Sequence, residues 1–237
     1  MAGFKTHIAF SSLLGVGYGS AAYLLYGVPA PTCILAGGLC GVSGMLPDID
    51  SGPGVPLRES MAFAAAVVPM MMIDRFEQFG LSREMIVLLG AGIYLLIRFG
   101  LAGALRRCTV HRGMFHSLPA AAIFGEISFL LAAGDLEMRI YKAGAVVLGY
   151  VSHLVLDELY SIEWHRGRLR LKKTFGSAMK LIGKHWWPAV FTFTQLAVLT
   201  FIALKEPGWM QQHCREKIKP TLERTATHVM DNTVRQS

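Results

Sequence analysis

Charge is what this chain has least of. Only 16% of its 237 residues are charged, against about 25% in a typical soluble domain, and the mean hydropathy is +0.43. Residues 85–97 and 189–204 run almost without a polar side chain. Such poverty excludes an ordinary water-soluble domain and points to a lipid-embedded one. Cysteine is scarce too: Cys33, Cys40, Cys108 and Cys214 form no C-x-x-C and no evident pairs. That excludes a disulfide framework and a thiolate metal site, and a thiol in an apolar helix serves as a small hydrophobe. No internal repeat is evident. No small-x-small cleavage site follows the first apolar run, which contains His7, Tyr18, Tyr23 and Tyr26, so it reads as a retained span rather than a signal peptide. Met70-Met71-Met72 has no soft companion ligand and reads as apolar packing, not a copper site.

Apolar sequence is what the chain has in abundance. Candidate spans cover residues 7–26, 32–46, 85–105, 118–133, 143–160 and 187–204, near the ~20 residues that cross a bilayer. Residues 61–73, short and interrupted by Pro69, either cross or re-enter. The expectation is an all-α polytopic membrane helical bundle with six or seven spans over residues 1–204, then a polar tail, 205–237. Residues 163–184 hold Arg166, Arg168, Arg170, Lys172, Lys173, Lys180 and Lys184 against one acid, Glu163, nearly the whole formal excess of +7. A cluster of this kind beside a membrane end belongs on the cytoplasmic side, where it meets anionic lipid. Membrane lipid is therefore the expected partner, and nucleic acid is not. With seven spans, the N-terminus, 48–58 and 106–116 share that side; if 61–73 does not cross, the earlier segments reverse.

Polar residues gather at one end of this map. His111-Arg112-Gly113-Met114-Phe115-His116-Ser117 sets two imidazoles, a guanidinium and a hydroxyl between apolar runs. His111 and His116, five apart, do not share a face of a regular helix. Gly113 bends a loop, and Ser117 caps a helix with Pro119 in its first turn, an end that favours anions. His7 stands at the mouth of the first span, and Asp48 and Asp50 follow the second. His153 and Asp157, four apart, share a face near the end of the span 143–160. Each taken singly is an interfacial polar residue; their common end makes the joint metal reading the better one. Four imidazoles and three carboxylates suit Zn, Mn or Fe, with Zn or Mn favoured. Seven ligands exceed what one ion takes, so two ions fit, an arrangement that activates water and clamps a phosphoryl group. Arg112 is a candidate for holding phosphate. Arg98 and Glu126, at similar depth, are expected to form an interhelical ion pair.

The set Thr6-His7, Leu46-Pro47-Asp48-Ile49-Asp50, His111-Arg112-Gly113-x-x-His116-Ser117 and Ser152-His153-Leu154-x-x-Asp157 resembles the YdjM-type family of bacterial and archaeal inner-membrane proteins, described as predicted metal-dependent hydrolases. The resemblance implies that His7, Asp48, Asp50, His111, His116, His153 and Asp157 form the polar centre, in the bacterial inner membrane. Family members continue beyond the last Asp with a Gly- and Pro-containing turn, whereas this chain has the basic run from Trp164 to Lys173. The expected activity is hydrolysis of a phosphoester or lipid-linked ester by metal-activated water. A carboxylate not held by metal, Asp50 or Asp157, would act as base, beside Arg112. The rivals are a metal or small-solute transporter and a non-catalytic scaffold that binds lipid or a protein partner. A transporter needs polar residues continuing to the opposite face, and few occur beyond Arg98 and Glu126.

Overall fold

The computed structural model describes residues 3–50, 55–101, 103, 115–165, 168–171 and 186–205. In chain order these form α1 (Phe4–Tyr26), α2 (Ala30–Ser43), a 3-10 turn (Leu46–Asp50), α3 (Val55–Met71), α4 (Ile73–Gln78) and α5 (Arg83–Leu95), which runs on as a π-helical turn (Leu96–Leu101). Then come α6 (Leu118–Leu131), α7 (Leu136–Leu159), a hairpin of β1 (Ile162–His165) and β2 (Arg168–Leu171), and α8 (Trp186–Lys205). The described residues are helical, in keeping with the apolar composition, apart from that hairpin and the short connections.

Backbone contact between helices defines the core. Gly27, at a φ of 64°, ends α1 in the left-handed conformation, and α2 returns antiparallel from it. A Cβ added to Gly15 would strike the Gly37 carbonyl, and one added to Gly149 would strike the Cys40 carbonyl and the Ser43 hydroxyl. Two helices can therefore approach α2 at backbone distance, the small-residue packing that serves where lipid supplies no hydrophobic drive. Ala36, Cys40 and Ala145, all fully buried, fill the seam of α1, α2 and α7. On the other flank α6 meets α7 through Ala120, Ala121, Tyr150 and Leu154, and α8 packs on α6. A smaller cluster, Ile49, Leu57 and Met61, seats α3 on the 3-10 turn. α5 lies against α3 and buries none of its own residues.

Among the described residues two helices, Phe4–Tyr26 and Arg83–Leu101, are long and apolar enough to cross a membrane, and Ala30–Ser43, Leu118–Leu131 and Ala189–Lys205 are shorter apolar helices. α7 differs from the expected span 143–160 by beginning at Leu136. The polar residues of its first turns are accommodated rather than excluded: buried Arg139 donates from Nε and Nη2 to the Phe129 carbonyl at 3.2 and 3.0 Å and lies 4.0 Å over the Phe129 ring. Arg75 donates to the Ala132 carbonyl at 3.1 Å. Both cations thus sit on carbonyls at the C-terminal end of α6, where a helix carries partial negative charge.

Two expectations are corrected. Among the described residues no ion pair joins Arg98 to Glu126. It is α8, not α5, that packs on α6, and Glu126 Oε1 accepts a hydrogen bond from Thr200 at 2.5 Å. Residues 163–184 are not loop throughout: strand register pairs Ile162 with Leu171, Glu163 with Arg170 and Trp164 with Leu169. Residues 166–167 and 172–184 of that basic segment, and the tail from 206 onward, lie outside the described residues.

Candidate metal centre

Helix direction brings the candidate residues together. α1 begins, α2 ends, α6 begins and α7 ends at the same end of the bundle. His7 lies in the first turn of α1, and the Ser11 hydroxyl, by donating to the Gly41 carbonyl at 2.7 Å, ties that turn to α2. Asp48 lies on the 3-10 turn directly after α2. His116 immediately precedes the Ser117 cap, whose hydroxyl accepts from the Ala120 amide at 3.3 Å. The Tyr150 hydroxyl donates to the Phe115 carbonyl and fastens that turn to α7. One helical turn further on, His153 and Asp157 point into the space so enclosed.

The five side chains form one cluster. His7 Nε2 is 3.3 Å from Asp157 Oδ1, and His116 Nε2 is 3.5 Å from Asp48 Oδ1 and 3.9 Å from Asp157 Oδ2. His153 Nε2 is 3.7 Å from Asp48 Oδ1 and 3.8 Å from Asp157 Oδ2. The His7 and His153 rings stack at 3.7 Å, and His116 meets His153 edge-on at 5.6 Å. His7, His153 and Asp157 are at most 5% exposed. Burial raises the pKa of the Asp48 carboxyl. The hydrogen bond from His116 and the imidazoles of His153, His116 and His7 more than offset this, so it sits below the ordinary value.

These residues fit a divalent ion. Two donor atoms bound at ~2.0–2.1 Å to a tetrahedral ion lie about 3.3 Å apart, close to the shortest of the gaps observed. Ligand atoms of His7, Asp48 and His153, and of His116, His153 and Asp157, form two triads, each within 4.8 Å. His153 belongs to both. Its Nδ1 lies 2.7 Å from the Gly44 carbonyl. Only a protonated nitrogen can make that bond, so Nδ1–H donates and Nε2 is left as the lone pair facing the cluster. Nε2 is buried and has no hydrogen-bond partner among the described residues. An imidazole oriented by a backbone carbonyl, with its other nitrogen presented inward, is how metal-binding histidines are held.

A family model described as YdjM inner membrane protein matches residues 1–212. The chain belongs to that family. Comparison with curated proteins gave no match, and neither did comparison with solved structures. YdjM membership, together with the two long apolar helices, makes this an inner-membrane protein.

Of the seven residues that the YdjM resemblance grouped, the structure gathers five: His7, Asp48, His116, His153 and Asp157. Asp50 closes the 3-10 turn, but its side chain lies outside the described residues, as do His111 and Arg112. Three supporting groups had no role in the sequence reading: Tyr150, Ser11 and the Gly44 carbonyl. Tyr150 carried a legible signal, since it is three residues before His153 on the same helix. The carbonyl carried none, because every residue has one.

Proposed function

We propose that this YdjM-family chain is a multi-pass, metal-dependent hydrolase that cleaves a phosphoester, of a lipid or a lipid-linked substrate, at the cytoplasmic edge of the membrane. The observation that carries this reading is the convergence of three imidazoles and two carboxylates, from four separate segments, with His7, His153 and Asp157 buried. A buried carboxylate such as that of Asp157 is costly unless compensated. Zn or Mn suits an all-nitrogen-and-oxygen donor set, and the full set of seven residues provides for two ions. When bound, such an ion polarises a phosphoryl oxygen and lowers the pKa of water towards ~7.

The order of residues along α7 supports this side of the membrane. Its last turns carry His153 and Asp157, and the basic segment 163–184 comes directly after it. The cluster and the start of the basic segment share one end of α7, which favours the cytoplasmic side under the positive-inside rule. The basic segment there supplies an attraction for anionic lipid. The residues divide the work. His7, His116 and His153 present nitrogen lone pairs, and Asp48 and Asp157 neutralise the cation. Asp50, or Asp157 when not engaged, takes the proton from the attacking water. Arg112 holds the phosphate bidentately.

The test is elemental analysis of purified protein in detergent, beside turnover of phosphatidic acid and of a water-soluble phosphomonoester. Wild type should carry Zn or Mn and release phosphate. His116→Ala and His153→Ala should lose both metal and turnover while keeping their size-exclusion profile. Metal-free wild type with an intact profile would overturn the reading.

A further inference from the structure

A cavity of about 670 Å³ runs along the outer side of the α1/α2 pair, and the mechanism above makes no use of it. Its volume falls within the roughly 300–1,000 Å³ of ligand pockets, and its lining is almost wholly apolar. One end is formed by Ile8 and Ser12 of α1, Gly41 of α2 and Phe63 of α3; the other reaches Leu24 and Ala30. Ile8 is the residue after His7. From Ile8 to Leu24 is a rise of roughly 24 Å, most of the ~30 Å hydrocarbon layer. The trough thus begins at the level of the polar cluster and runs down through the depth that one lipid tail occupies.

We infer that this groove is the acyl-chain site of the substrate: one long hydrocarbon chain of a lipid phosphoester lies along it, with the head group at the His7 end. This rests on the hydrolase reading for the meaning of the head group, and on the groove alone for the chain. Glycine makes the floor chain-thick. Gly38 lines the cavity, and a Cβ there would meet nothing within 4 Å. A neighbouring helix of a second copy is a poorer occupant. The small-residue face that would receive it is already used within the chain, since Gly15 abuts the Gly37 carbonyl and a Cβ on Gly19 would lie 2.8 Å from the Cys33 carbonyl. What remains open is a slot beside the helix pair. α5 supplies the contrast, an apolar helix with no buried residue and no part in the groove's lining.

The test reconstitutes the full chain in phosphatidylethanolamine–phosphatidylglycerol vesicles doped with a phosphatidic acid that carries a diazirine in one acyl chain. Photolysis is followed by peptide mapping. Label should concentrate on α1, α2 and the Phe63 peptide, and exceed that on α5. Gly38→Trp should fill the trough and reduce that label to the α5 level. Gly17→Trp, on α1 where an added Cβ also meets nothing within 4 Å but outside the lining, should keep it. Both variants should retain wild-type metal content, and His153→Ala should lose metal yet keep the label. Even labelling of α1, α2 and α5, or full labelling of Gly38→Trp, would overturn the acyl-chain site. So would a loss of dimer with Gly38→Trp at unchanged labelling, which would assign the slot to a second copy. Labelled but metal-free wild type would support the groove and sink the hydrolase.

Discussion

Gly149→Ala should weaken metal binding at the candidate centre without touching any of its ligands. A Cβ at position 149 would fall on the Cys40 carbonyl and the Ser43 hydroxyl, deep inside ordinary contact. Neither can yield, because one is helix backbone and the other is held by its own bond to the Cys40 carbonyl at 2.9 Å. α7 must therefore step back from α2 by about an ångström, since close-packed interiors absorb no overlap of that size. His153, one turn along the same helix, moves with it. Its Nδ1 is 2.7 Å from the Gly44 carbonyl at the end of α2, and an added ångström takes that contact beyond about 3.6 Å, where no hydrogen bond remains. Overpacking costs about 1–3 kcal/mol, and losing the orienting bond of a ligand histidine costs roughly 10–100-fold in metal affinity. Competition with a fluorescent chelator, beside thermal melting in detergent, measures both. Gly38→Ala, where the new methyl meets open space, is the control and should match wild type. If Gly149→Ala binds metal as tightly as wild type, the centre does not depend on the α2–α7 spacing, and the account of its preorganisation is wrong.

Arg139→Gln should lower the melting temperature while leaving metal content unchanged, because the two bonds to the Phe129 carbonyl lie at the far end of the bundle from the cluster; hydrogen bonds to charged groups contribute about 1.5–3 kcal/mol. Ser117→Ala removes the cap on the Ala120 amide and should cost about 1 kcal/mol, read by the same melts. For Asp48→Asn the sign follows from a folded pKa held below the unfolded one. In chelator-treated protein the carboxylate's contribution is complete above ~4 and is lost as pH falls through the lower folded value. The variant should melt below wild type at neutral pH, and the gap should close in acid; a gap that widens there would refute it.

The cluster was legible because chemistry-bearing residues are rare in this chain. In 237 residues with 16% charged, a histidine or aspartate at a helix end stands out, and alternating helix direction decides which ends meet. Their common end rested on span order with residues 61–73 crossing, and not on any exact helix boundary. What sequence did not disclose depended on packing. Arg98 and Glu126 match in depth, yet depth says nothing about which helices are neighbours, and Thr200 reaches the Glu126 carboxylate first. The span expected at 143–160 begins at Leu136 instead, because a carbonyl and a ring from α6 satisfy the charge of Arg139. The hairpin was hidden because charge dominates residues 163–184, and strand pairing there rests on register between short segments.

Charge balance decides how many ions the cluster can keep. Among the described residues Asp48 and Asp157 contribute two negative charges, enough to neutralise one divalent ion. The three imidazoles add none when they serve as ligands. A second ion would bring two further positive charges into a site where His7, His153 and Asp157 are at most 5% exposed, and an uncompensated charge in such a place costs several kcal/mol. Asp50, on the same 3-10 turn as Asp48, would under the proposed function add one more carboxylate, which would still leave the sum positive. The missing charge is what an anionic phosphoryl group would bring. Titration of chelator-stripped protein with Zn should accordingly show one tight equivalent in plain buffer, and a second that tightens when inorganic phosphate is present. Asp50→Asn should abolish the second and spare the first. Two equally tight equivalents without phosphate would mean that the protein alone balances both ions, and that this electrostatic account of a substrate-completed centre is wrong.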